Sequence, residues 1–137
     1  MGTILRSMSA VIAGLIVAGV FVIGVEWMSS ILHPFPPGAD PTDLETCRLH
    51  VAGYPAGVLL LASLGWGLGT LASSWLATRL GPKRKAVYGI AVGLILLALA
   101  IANMAMLPYP AWFWASNLIL FPLCFCFGAR LGRERQQ

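Results

Sequence analysis

Glu26, Asn103 and Asn117 are the strongly polar side chains standing well inside otherwise apolar blocks, and they bound what chemistry the chain can attempt. The blocks run over residues 8–32, 56–80, 86–107 and 111–131. Glu26 lies six residues before the end of the first block, Asn103 four before the end of the third, and Asn117 six after the start of the fourth. With a helical rise of ~1.5 Å per residue, each sits roughly 6–9 Å inside its block. They can therefore meet in one layer. A carboxylic acid at that depth can exchange a proton or neutralise a cation, and an acid inside a membrane is a functional-site hypothesis by default. The plainer alternative ends the first span near Val25 and leaves Glu26 among headgroups beside Trp27. The two asparagines suit hydrogen bonds between helices, worth about 0.6–2 kcal/mol each.

Other chemistry finds little support. His33, Cys47 and His50 share one polar connection with Asp43 and Glu45, but no C-x-x-C or H-E-x-x-H spacing joins them. No metal and no cofactor is expected. There is no phosphate-binding loop and no G-x-S-x-G, so the chain does not read as an enzyme. Cys124 and Cys126 fall about 200° apart around a helix and behave as small apolar residues. They lie too far from Cys47 along the chain's expected path for a disulfide.

The elements that must position these residues are four membrane-spanning helices. Apolar residues make up 58% of the 137, while charged ones make up 10%, against about 25% in a soluble domain. Each block is long enough to cross a hydrocarbon core of about 30 Å. The expected fold is an all-α membrane protein: one integral domain over residues 1–137, an up-down bundle of four helices. A short extracytoplasmic helix is expected in the first loop, residues 33–55. There Asp40 reads as the N-cap and Pro41 as the first helical residue, with an end near Gly53.

Small residues recur every fourth position in the second span, at Gly65, Gly69, Ser73, Ala77 and Gly81. That spacing draws a groove into which another helix can press its backbone. Ala10, Gly14 and Ala18 form a similar line in the first span, and Gly89 and Gly93 a shorter one in the third. The fourth span is bulky instead, with Trp112, Phe113, Trp114, Phe121, Phe125 and Phe127. Pro122 inside it is expected to kink it.

Orientation follows from the bases. Arg6, Arg79, Lys83, Arg84, Lys85, Arg130, Arg133 and Arg135 share one side, eight of the nine, with Arg48 alone on the other. By the positive-inside rule both termini are cytoplasmic, and the same cations would hold anionic lipid. They lie at helix ends without a basic, aromatic-studded face, so nucleic acid is not an expected partner. Trp27, Tyr54, Tyr109, Trp112 and Trp114 would form the outer aromatic belt, Trp75 and Tyr88 the inner one.

The sequence resembles a loose set of small bacterial inner-membrane proteins with no assigned activity. The resemblance rests on the Arg-led first span, the P-P-G-x-D run Pro36-Pro37-Gly38-Ala39-Asp40, the Gly-rich second span and the turn from Pro108 to Phe113. It implies a multi-pass protein of the bacterial inner (cytoplasmic) membrane and carries no functional residue across. Two functions follow as expectations. The first is a packing or accessory protein, embedded in lipid and associating with itself or with a larger membrane complex. The other is a small-solute or proton-coupled transporter using Glu26.

Overall fold

The computed structural model describes residues 1–134. Among them every regular element is helical: α1 Gly2–Leu32, α2 Leu44–Ala52, α3 Ala56–Leu80, α4 Ala86–Met106 and α5 Ala111–Arg133, with one 3-10 turn at Pro82–Arg84. Four of these, all but α2, are long and apolar enough to cross a membrane. Arg135, one of the eight cations on the basic side, lies outside the described residues.

Prolines and glycines punctuate the helices where their chemistry requires. Pro55 and Pro110 immediately precede α3 and α5, and Gly81-Pro82 ends α3. Beyond that end Lys83 and Arg84 take left-handed backbone angles, φ 55° and 47°, unusual for residues with a Cβ. They close the tight basic turn before α4. The first helix begins at Gly2, six residues ahead of its apolar block, because nothing in that stretch breaks a helix and Ser7 bonds back to the Thr3 carbonyl at 2.8 Å. Pro122 lies within α5, which runs on as helix from Ala111 to Arg133.

The loop helix starts later than its acids suggested. Asp43, not Asp40, is the N-cap, accepting from the Thr46 amide at 2.9 Å. The Asp40 carboxylate is instead spent on Thr42, accepting from its amide at 2.9 Å and from its hydroxyl at 2.6 Å. That local turn competes with helix and delays it by three residues. Gly53 caps the far end as expected.

α3 is the centre of the molecule and packs on α1, α4 and α5. Its small residues are what permit this. Val25 of α1 presses on Gly65, Phe21 on Gly69, and Gly14 lies against Ser73 and Ala77. The pairings run in opposite directions along the two helices, so α1 and α3 are antiparallel. On other sides of α3, Gly89 of α4 meets Ser74 and Thr78, Gly128 of α5 meets the Leu71 carbonyl, and Gly132 meets Trp75 and Thr78. Gly93 of α4 receives the Phe125 ring, and Gly81 faces Tyr88. A methyl group at most of these positions would collide with backbone or ring atoms. Ala10, Gly14 and Ala18 are buried on α1, so all three small-residue lines are filled from within the chain.

The outward faces carry the large aliphatic residues, such as Ile16, Leu64, Leu94 and Ile119. At the basic end Arg6 donates from Nε to the Leu80 carbonyl at 3.0 Å, and Ser7 shares a 3.0 Å hydrogen bond with the Tyr88 hydroxyl. The Arg79 guanidinium lies over the Trp75 ring, 5.6 Å from its centre. At the loop end Arg48 donates from Nε to the Met106 carbonyl at 3.0 Å. A cation thereby satisfies a carbonyl at the negative end of α4.

Candidate functional site

Three helical stripes converge near the loop end. On α1 the residues Ala18, Phe21, Val22 and Glu26 share one face, on α3 Trp66, Gly69 and Thr70, and on α4 Leu96, Leu99, Ala100 and Asn103. Each set steps by three and four residues, the spacing that aligns side chains along one helix face. Together with Phe121 they line an open crevice of about 270 Å³, with Val22, Glu26 and Leu99 on its exposed side. The crevice exists because α1 leans on α3 and touches α4 only lightly. Val25 fixes that lean: it is buried against Gly65, and the next residue, about 100° around the helix, is Glu26.

A second compartment of about 100 Å³ lies beyond the first, toward the loop, with Phe35, Cys47, His50, Tyr54 and Tyr109 in its wall. Glu26, Trp66 and Asn103 line both compartments and so stand at their junction. No lysine or arginine lines either.

The polar atoms at the junction are sparsely partnered. The Asn103 amide donates to the Tyr109 hydroxyl at a long 3.4 Å. The Trp66 indole N–H is buried and has no acceptor among the described residues. Glu26 makes no hydrogen bond and no ion pair among them. The Glu26 side chain is itself exposed, at the outer rim of the junction beside the open Trp27.

The loop-side wall is neutral near pH 7. Burial pushes the Tyr109 phenol up to about 12, with the Asn103 hydrogen bond opposing, and burial also raises Tyr54. Burial holds the His50 imidazole below the ordinary histidine range, and the neighbouring His33 adds to this. His50 stacks on Phe35 at 3.8 Å between ring centres, with His33 at 4.8 Å and Tyr54 at 5.2 Å. Its Nε2 is buried and has no hydrogen-bond partner among the described residues. No group of three potential metal ligands forms among the described residues. The Cys47 thiol donates to the Pro41 carbonyl at 3.2 Å.

Of the three residues placed in one layer by their spacing, Glu26 and Asn103 come together and Asn117 does not. Asn117 is fully buried on another side of α3, where its amide donates to Ser63 Oγ at 3.0 Å and the Phe113 carbonyl at 2.8 Å. Depth along a helix is readable from sequence, but rotation about its axis is not. Tyr54, Tyr109 and Trp114, expected in the outer belt, pack with Trp66 around Leu59, Met104 and Phe113. Of that belt Trp27 is the most open, 69% exposed.

Trp66 was not singled out by spacing or motif. A hint lies in its isolation: it is the one large aromatic among the small residues of the first two-thirds of α3. No protein-family model, no curated protein and no solved structure matches this chain.

Proposed function

We propose that this is a four-span protein of the bacterial inner membrane that binds a small solute at Glu26 and moves it with proton exchange. The helices stand as an up-down bundle with both termini cytoplasmic, and α2 lies on the extracytoplasmic side. The eight-to-one bias of bases supports that orientation. One observation carries the functional reading. Glu26, exposed at the rim, stands where two compartments join, beside Asn103 and Trp66, the two other residues that line both. The alternative of an accessory or self-associating packing subunit rested on surplus small-residue grooves, and those grooves are occupied within the chain.

The test is solute-driven proton flux in proteoliposomes, read with an internal pH dye across a panel of cationic, neutral and anionic small solutes. Glutamine keeps the shape and hydrogen bonding of Glu26 but cannot exchange a proton. Flux in the wild type that disappears in Glu26→Gln, with helicity and melting retained, is the expected result. Equal flux in both proteins would overturn the proposal.

A further inference from the structure

The two compartments differ in chemistry, and that difference specifies the ligand. The larger one is walled by Phe21, Val22, Leu96, Leu99 and Phe121. Its one hydroxyl, Thr70, is already spent on the Trp66 carbonyl at 2.8 Å. A polar or hydrated solute would gain nothing there and would lose its water. The smaller one presents the aromatic residues Tyr54, Trp66 and Tyr109 together with the Glu26 carboxylate, and no cationic side chain.

Resting on the solute-binding reading above, we propose that the site takes an amphipathic ammonium, with its charged head in the smaller compartment and its alkyl chain in the larger one. Aromatic faces attract an ammonium through their quadrupole, more strongly when water is excluded, and Glu26 supplies the opposite charge. The polar–apolar boundary of the ligand falls at the junction where Glu26 stands. Other classes fit less well. An anion would meet an uncompensated carboxylate. A hard metal ion needs six or more oxygen ligands, and Glu26 is the only carboxylate in either wall. The light packing of α1 on α4 leaves the chain of such a ligand a path from the lipid phase. The same chemistry is offered by a free alkylammonium and by the headgroup end of a choline-type lipid.

The full chain in nanodiscs of lipid lacking ammonium headgroups, titrated with dodecyltrimethylammonium, dodecyl sulfate, an uncharged dodecyl glycoside and lysophosphatidylcholine, tests this. Trp66 quenching, identified by its loss in Trp66→Phe, reports occupancy. The dodecylammonium probe should bind about tenfold or more tighter than the uncharged and anionic probes, the order of a desolvated cation contact. Glu26→Gln should abolish that preference, and Glu134→Gln, an exposed acid at the far end, should not. Tighter binding of lysophosphatidylcholine than of dodecyltrimethylammonium identifies a lipid headgroup as the source; the reverse identifies a free amphiphile. Equal binding of cationic and uncharged probes, or an unchanged preference in Glu26→Gln, would overturn the ligand class. If Glu26-dependent proton flux with some other solute persists in that case, the solute-binding reading survives. If that flux is absent too, both fall.

Discussion

At the scale of single residues the two asparagines separate a structural role from a binding role. Asn117 is fully buried with its amide donating twice, so removing it vacates space and leaves Ser63 without its partner. Asn117→Ala should cost about 1–3 kcal/mol of stability in detergent, the usual size for a broken buried hydrogen bond. Asn103→Ala gives up only the 3.4 Å contact with Tyr109 and should change melting little while weakening the ligand. Equal melting losses in the two variants would contradict this division. His50 carries a pH dependence whose sign follows from burial. Burial holds its pKa below the ordinary histidine value of about 6.5, so the released loop binds a proton more readily than the docked one. Docking of Phe35 on His50 is therefore complete above about 6.5 and weakens as pH falls below that value. The ionisable groups facing His50 are His33, Tyr54 and Cys47, with Glu26 across the compartment. Amide exchange over residues 33–53, corrected for intrinsic rate, should quicken between pH 7.5 and 5, and His50→Gln should flatten the response.

At the scale of helices, the small residues of α3 decide how close its neighbours come. Gly69 lies against Phe21 Cβ and also lines the larger crevice, while Leu68, one position earlier, is 58% exposed on the outer face. Gly69→Leu should push α1 away and cost about 1–3 kcal/mol, as overpacking usually does. Leu68→Ala should stay within about 0.5 kcal/mol, as surface changes do. Comparable thermal stability of the two in detergent would count against close helix approach at this level. This much of the packing was legible, because four-residue spacing of small side chains has one geometric meaning. The start of α2 was not, since Asp40 and Asp43 both satisfy the N-cap pattern and only their hydroxyl neighbours decide between them. Nor was the inward turn of Tyr54 and Tyr109. An aromatic residue at a helix end suits an interface and a core equally well, and the choice depends on how neighbouring helices rotate.

For the whole molecule, the four apolar helices were legible from hydropathy alone, and the crevice between them was not, because the rotation of each helix about its axis leaves no mark in hydropathy. Topology joins sequence to structure at this scale. Arg6 bonds to the Leu80 carbonyl and Ser7 to Tyr88, so the chain's start, the end of α3 and the beginning of α4 meet at one end. Arg79, Lys83, Arg84 and Lys85 cluster there, and α5 runs parallel to α3 through the pairs Ser63–Asn117 and Trp75–Gly132, which brings Arg130 and Arg133 to the same end. Moving these charges across a bilayer would oppose the membrane potential and the anionic inner leaflet at once. Arg48, the exception, is held by the Met106 carbonyl at the opposite end. Reporter fusions after Leu32 and after Leu107 should therefore read as external, and fusions after Gly81 and after Gln137 as cytoplasmic. The crevice lies toward the external end in that orientation, so Cys47, in its wall, should react with a membrane-impermeant maleimide added outside, and a saturating ligand should slow the reaction. An external C-terminus, or labelling of Cys47 only after the membrane is opened, would invert the bundle and place the mouth of the site in the cytoplasm.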